Sequence, residues 1–385
     1  MYSLKLIFKN ALRHKLRTCL TVLGIVIALL AFGILRTVIT TWYAMVEAAS
    51  ATRLVTRNAI SLTFPLPISY KDKIRQVEGV KVVSYGSWFG GIYIDEKHFF
   101  ANYAAEPKSF LELYPEYILS PDQKAVFFRD RQAFIAGRKL AEKYGWKIGD
   151  IITLKGTIYP GNWDFVLRGI YRGRDKEVEE SSFIFHWDYL NEGLKKTVPR
   201  RADQVGFYMI GLTNPKLAAD VSVAVDSIFK NSIAETLTET EKAFHLGFLS
   251  MSEAIIVAIH IVSLVVIIII MAVVANTMAM TARERIGEYA VLKTLGFGGW
   301  RIAGIIFGES LLITTIGSII AIALTFPAAD AFAKALEDYF PVFIVAIDTI
   351  YLNIAASLVV GFVGAIVPTI RAIKIPVAEG LRRIG

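Results

Sequence analysis

Cysteine is almost absent from this sequence. Cys19 is the only one in 385 residues. It lies inside an apolar run, so neither an intrachain disulfide nor a thiolate metal cluster is available. Histidine is scarce, with five in the chain; His98, His186 and His245 are scattered, and no HExxH or similar ligand pattern occurs. No serine sits in a GxSxG elbow, and no G-x-x-x-x-G-K-[ST] loop is present to cradle nucleotide phosphates. Charged residues make up only 20% of the chain. These gaps leave no catalytic, cofactor-binding or metal-ligating set, and point away from an enzyme.

Apolar residues are abundant instead. They form 54% of the sequence, and the mean hydropathy is +0.49. That balance predicts a membrane protein with a sizeable aqueous part. Crossing about 30 Å of hydrocarbon takes roughly 20 apolar residues, and four stretches qualify: 18–35, 254–281, 302–326 and 349–370. The first follows Lys5, Lys9, Arg13, Lys15 and Arg17, like a signal peptide. Its core is too long for an h-region, and the small-residue site Ala49-Ser50-Ala51 lies far beyond it.

The net charge of +8 reads as a topology signal. The N-terminal flank has five basic residues and no acid. The connection between spans two and three carries Arg283, Arg285, Lys293 and Arg301 against Glu284 and Glu288. The tail carries Arg371, Lys374, Arg382 and Arg383 against Glu379. The connection between spans three and four is acidic, with Lys334 against Asp330, Glu337, Asp338 and Asp348. Basic short flanks stay inside, so both termini are expected in the cytoplasm, and nucleic acid is not implied as a partner.

The expected order is an amphipathic interfacial helix (1–17), span one (18–42), an extracytoplasmic domain (43–249), span two (250–281), a cytoplasmic coupling helix (282–301), span three (302–326), an extracytoplasmic loop (327–348), span four (349–370) and a cytoplasmic tail (371–385). In the first element Leu4, Ile7, Phe8, Ala11, Leu12 and Leu16 recur at helical spacing opposite Lys5, Lys9, Arg13 and Arg17, as suits a helix on the inner leaflet. The 282–301 connection is longer than a turn needs. Its apolar Ile286, Ala290, Leu292 and Leu295, charged Arg283, Arg285, Glu288 and Lys293, and helix stop at Gly296 fit a short helix that docks a cytoplasmic partner.

The large domain opens with a β-like stretch at 59–64, a helical stretch at 69–77 and a strand at 80–85. Near its end come a strand at 205–212 and a helix at 216–230. Two such β-α units enclosing an insertion predict an α+β domain, a ferredoxin-like part with a β-rich insertion. Within the insertion, alternation at 151–154 and 165–171 with turn residues at 159–162 predicts strands. The acidic cluster Asp175, Glu177, Glu179 and Glu180 reads as a solvated loop. The aromatics Trp88, Phe89, Tyr93, Phe99, Phe100 and Tyr103 read as strand and core faces, with a hydrophobic contact surface as the alternative.

Polar residues inside spans are functional candidates by default. They are Arg36 in span one, His260 and Asn276 in span two, and Glu309 in span three. Arg36 is placed to snorkel toward Trp42 and Tyr43. Glu309 either pairs with Arg283 or Arg285 or snorkels, and His260 and Asn276 seek partners in the bundle or at a dimer seam. Gly304, Gly308, Gly317, Ser357, Gly361 and Ala365 recur at the spacing that lets helices approach closely.

RERIGEYAVLKTLGF closely resembles the signature between spans two and three of MacB/FtsX/LolC-type ABC transporter permeases. LRHKLRTCLTVLGIVIAL, Glu309-Ser310-Leu311, GRKLAEKYGWKIGDIITLKG, the strand at 165–171 and the tail Pro368…Arg371-Ala372…Pro376-Val377-Ala378…Leu381-Arg382 fit the same family, as does the four-span layout. The resemblance implies a periplasmic core domain, a dimer with a second copy or homologue, and a cytoplasmic ABC ATPase docked at the coupling helix, with Arg283, Arg285, Glu288, Leu292 and Lys293 as the contact set. ATP and Mg would be bound by that partner, as in LolC or LolE, whereas MacB carries the nucleotide domain fused. A periplasmic adaptor or substrate carrier is a further implied partner, with membrane lipids around the spans in the inner (plasma) membrane. The implied function is mechanotransmission, exporting or extracting a lipid, lipoprotein, peptide or hydrophobic compound. The alternative is an FtsX-like signalling scaffold that activates a cell-wall hydrolase. A membrane-embedded enzyme is disfavoured, because the spans lack paired Asp, Ser-His or metal-ligand sets.

Overall fold

The structure, a computed structural model, describes residues 2–11, 13–175, 178–250, 252–335, 343–374 and 376. The signature residues 377–385, and Leu12, Glu177, Glu337 and Asp338, lie outside the described residues. The described chain divides into two units, one holding the spans and one the intervening domain, 42–251.

Among the described residues four helices are long and apolar enough to cross a membrane: Lys15–Tyr43 within a helix that runs on to Ala48, Glu253–Glu284, Gly299–Ala335 and Ile347–Lys374. They are called spans one to four. The core of their bundle is Ile25, Leu29, Ile270, Val274, Ile306, Ile313, Ala321 and Val360. The predicted small residues differ in what they meet. A Cβ at Gly361 would stand 2.5 Å from Thr314 Oγ1, one at Gly317 2.5 Å from Ile25, and one at Gly308 2.6 Å from Ile7 of the N-terminal helix Tyr2–Ala11. Ser357 and Ala365 are buried. Gly304 has no neighbour within 4 Å of that position.

The bundle interior is more polar than hydropathy suggests. Ser310, Thr314, Ser318 and Thr325 of span three, Thr349, Asn353 and Ser357 of span four, and Thr37 of span one are all buried. Most of these hydroxyls donate to helix carbonyls, as Thr325 does to Ala321 and Thr37 to Gly33. Such local bonds satisfy a hydroxyl without a partner from another span. Ser310 instead donates to the Gly361 carbonyl at 2.7 Å, joining spans three and four where small side chains let the backbones meet.

The intervening domain is built on a βαβ…βαβ frame. Strands Thr236–Thr240, Arg53–Asn58, Phe207–Leu212 and Val80–Trp88 lie side by side in that order, all antiparallel. Helices Tyr70–Arg75 and Ala218–Ile228 complete the two halves. This is the ferredoxin-like order, outer-first-third-second. Alternation along Phe207–Leu212 sends Tyr208 and Ile210 to one face, where they join Leu54, Tyr70, Ile74, Val83, Val221, Val225 and Phe229. Met209 goes to the other face, with Phe110, Leu111, Leu113, Phe127, Ile135, Tyr171 and Ile184. Both faces of Phe207–Leu212 are covered, which explains why that strand reads as a nearly continuous apolar run.

The insertion extends the same sheet through strands 102–105, 183–186, 133–137, 161–173, 151–156 and 91–92. It is β-rich, as expected, and pairs edge to edge with the ferredoxin-like frame instead of forming a separate sheet. The first strand falls earlier than the stretch expected at 59–64. Leu54 and Val55 supply the buried positions, while Ile60, Leu62 and Phe64 alternate but remain exposed in a turn segment. The acidic cluster also differs from a solvated loop. Glu180 is buried, accepting from Arg138 at 2.7 Å and from the Gly173 amide at 2.8 Å, and burial pushes the Glu179 carboxyl up. Of the aromatics, Phe89 and Phe100 enter the core, while Trp88 and Phe99 stay exposed.

Candidate functional site

The charges cluster at the basic end of the bundle. Span two ends at Glu284, Arg285 forms a hinge, and a separate helix runs over Ile286–Thr294. It stops because Gly296 takes φ +86°. There Gly296 N–H donates to Lys293 and Phe297 N–H to Leu292, satisfying carbonyls that a helix end otherwise leaves open.

Arg285 is the centre of the site. Its Nη1 donates to Glu309 Oε2 at 2.9 Å and its Nε to Glu288 Oε2 at 2.9 Å. The guanidinium also lies 5.5 Å over the Tyr289 ring. The Arg285 and Glu309 side chains are 8% and 3% exposed, so the pair is removed from water. Either charge left alone there would be severely destabilising. Glu309 thus takes one of the two basic partners available to it in sequence.

The N-terminal segment closes the network. Arg13 donates to Glu288. Arg17 donates through both terminal nitrogens to the two oxygens of Glu284, each at 2.7 Å. His14 stands 3.7 Å from the same carboxylate. Burial raises the Glu288 carboxyl, but hydrogen bonds from Arg13 and Arg285 outweigh it and hold the group below its usual range. Part of the basic flank therefore binds the chain itself, a role its topology signal concealed. Lys293 Nζ donates to the Ile373 carbonyl at 2.8 Å, fastening the short helix to the last turn of span four.

Of the five residues expected to meet an ATPase, Arg285 is buried, Glu288 and Lys293 are engaged as described, and Leu292 packs partly against the bundle core. Arg283 is exposed. The structure adds three residues absent from that set: Val291, Leu295 and Trp300 are exposed, the last two at 70% and 90%. Leu295 was visible in sequence only as one of an apolar periodic set. Trp300 falls within the expected 282–301 connection, but it lies outside the periodic set of that segment and so carries no signal of its exposure.

The other intramembrane positions separate. Arg36 Nη1 lies 3.0 Å from His260 Nε2, linking spans one and two. Asn276 is exposed and its side chain makes no hydrogen bond among the described residues. In the large domain, His98 sits beside Asp95 and buried His186 beside the Phe127 carbonyl. No group of three His, Cys, Asp or Glu placed to hold a metal occurs among the described residues.

A second constellation joins the two ends of the large domain. Buried Arg53, at the start of the first strand, pairs with Glu241 at 2.8 Å and Glu116 at 2.7 Å, and donates to the Leu113 carbonyl. Glu241 begins the helix Glu241–Ser250 that precedes span two. It also accepts from the Ser50 amide and the Tyr114 hydroxyl. One arginine thus ties the chain leaving span one, the chain approaching span two and the insertion.

Four helices long and apolar enough to cross a membrane, a short helix braced against them and a large mixed α/β domain define a membrane protein with a sizeable aqueous domain. Residues 260–377 match the family of the FtsX-like permease C-terminal domain. An uncharacterized ABC transporter permease of Methanocaldococcus jannaschii is 25% identical over 342 residues, covering 82% of this chain and 81% of that protein. The chain is thus similar to an ABC transporter permease over most of its length, and its residues 260–377 carry an FtsX-like permease domain. Among solved structures, the extracellular domain of the noncanonic ABC-type transporter YknZ from Gram-positive bacteria aligns at 12% identity and a TM-score of 0.37, over 49% of this chain and 98% of that one. The periplasmic region of MacB from Actinobacillus actinomycetemcomitans aligns at 8% identity and 0.38, over 53% and 95%.

Proposed function

We propose that this chain is the permease subunit of a mechanotransmission ABC transporter. A separate cytoplasmic ATPase docks at the helix Ile286–Thr294, and its ATP-driven closure moves the spans and, through them, the extracytoplasmic domain. The cargo is a lipid, lipoprotein, peptide or hydrophobic compound handled on the outer side. ATP and Mg belong to the partner, and the termini and the docking helix face the cytoplasm. The reading is carried by one observation: Arg285, at the start of the short helix, is bound to Glu309 of span three, while Val291 on that helix and Leu295 and Trp300 just beyond it stay uncovered. A push on that helix reaches the bundle through a buried ion pair and not through a loose loop. A second permease copy completes the unit, and the unpaired Asn276 on span two is suited to such a seam.

The test is purification from native membranes with associated proteins, followed by ATP hydrolysis measurements. An ABC ATPase should accompany the chain and be lost from Leu295→Asp and Trp300→Asp variants. Arg285→Gln should keep the ATPase bound but abolish the stimulation of hydrolysis by the permease. Retention of a fully coupled ATPase by all three variants would refute the docking role. An associated cell-wall hydrolase with no cargo or adaptor would favour the signalling scaffold.

A further inference from the structure

We infer that Arg36 and His260 form a binding site for the anionic headgroup of an amphiphile lying in the membrane beside spans one and two. This rests on the permease reading and narrows its ligand to one carrying a phosphate or carboxylate.

The argument begins with hydrogen-bond capacity. His260 Nδ1 lies 3.0 Å from the Ile256 carbonyl, which can only accept, so Nδ1 carries a proton. Nε2 is 3.0 Å from Arg36 Nη1, which can only donate, so Nε2 presents its lone pair. The imidazole is therefore neutral and holds the guanidinium against span two. Nearby hydroxyls are committed elsewhere, with Ser263 donating to the Ile259 carbonyl at 2.8 Å and Thr40 to the Arg36 carbonyl at 2.9 Å. A guanidinium has five N–H donors. The imidazole takes one, and no carboxylate among the described residues pairs with Arg36. An arginine that only snorkels needs no such brace; here a cation is positioned with its charge uncompensated.

Location selects the ligand. Arg36 is six residues before Trp42, about 9 Å along a helix, which places it less than two turns from the aromatic pair Trp42-Tyr43 at the end of the span. His260 is exposed. On its side of span two, Val257 and Leu264 are exposed apolar residues three and four positions away. Span two is also the least covered of the four, with 22% of its apolar window buried against 33% for each of the others. A forked cation flanked on span two by uncovered apolar residues suits an anionic headgroup whose acyl chains lie along that face. Asn276 is sixteen residues from His260, about 160° around the helix, so a second copy at Asn276 leaves this face free.

The test uses the full chain purified in neutral detergent, with retained lipid counted by native mass spectrometry. The probes are dioleoyl phosphatidylglycerol and dioleoyl phosphatidylcholine. Wild type should retain the anionic lipid about tenfold better, the size of one or two charge-assisted hydrogen bonds. Arg36→Gln should abolish the preference. Arg36→Lys, which keeps the charge and loses the fork, should retain only part of it and supplies the result if Arg36→Gln does not fold. His260→Phe should weaken it with Arg36 intact. Equal retention of the two lipids by wild type, or an unchanged preference in the Arg36 variants, would overturn the site. Displacement of the lipid by millimolar inorganic phosphate would show a free-anion site and overturn the amphiphile. A change in oligomeric state without a change in lipid preference would assign the face to a second copy, also against the proposal. ATP hydrolysis is not read, so failure here and failure of ATPase coupling are separate results.

Discussion

Arg285 and Glu309 are 24 residues apart in sequence and joined at 2.9 Å inside the protein. The contact makes the short helix after span two part of the membrane bundle. Because Arg285 also holds Glu288, and Glu288 holds Arg13, the N-terminal segment, the short helix and span three share one charge network.

Breaking that pair from one side should cost more than removing it whole. Arg285→Met or Glu309→Met leaves a buried charge unpaired, at about 3–5 kcal/mol, whereas the double substitution should recover much of the loss. Thermal unfolding of the full chain in detergent measures both. A double variant as unstable as the sum of the singles would show that the two side chains act independently.

Arg53 should behave as a clamp within the large domain. Arg53→Met leaves Glu241 and Glu116 without their cation and should cost about 3 kcal/mol. Hydrogen exchange should rise in 107–118 and 241–250 together. Exchange confined to the first strand would mean that Arg53 stabilises only its own element.

The small residues of the spans should divide by what faces them. Gly361→Ala places a Cβ 2.5 Å from Thr314 Oγ1 and should cost about 1–3 kcal/mol by overpacking. Gly304→Ala meets nothing within 4 Å and should leave the thermal midpoint unchanged or raise it slightly. Equal destabilisation by both would contradict this packing.

Acid should loosen the large domain. Burial lowers the His186 imidazole from its ordinary 6.5, and burial lowers His245 in the same way. The unfolded chain takes up these protons first, so their contribution is full above about pH 6.5 and is lost as pH falls through the folded-state values. Exchange in strands 133–137 and 183–186, corrected for the intrinsic rate, should increase between about pH 7 and 5. His186→Gln should flatten that dependence, and an unchanged slope would remove His186 as its source.

Local chemistry made part of this legible. Apolar run length marked the four spans, and the two β-α units framed a β-rich insertion. The first strand is hard to place from sequence because Ile60, Leu62 and Phe64 alternate more regularly than Leu54 and Val55, and only pairing partners separate the two stretches. The Glu309 partner was narrowed to Arg283 or Arg285. Residues two apart on a helix point about 200° apart, and the orientation of the hinge decided which arginine reaches inward. The roles of Arg13 and Arg17 were hidden, because a basic flank looks the same whether its charges meet lipid or Glu284 and Glu288.

By itself, the order of residues determined the membrane class, the number of spans and the α+β character of the large domain. Each depends on hydrophobicity or periodicity within a short window, a property carried by neighbours in the chain. Tertiary structure alone decided that Arg285 is an internal brace, that Arg53 joins three distant segments and that Arg36 meets a neutral imidazole. Those outcomes depend on which side chains converge from separate helices and strands, where burial makes an unmatched charge or donor costly, and no local window contains that information.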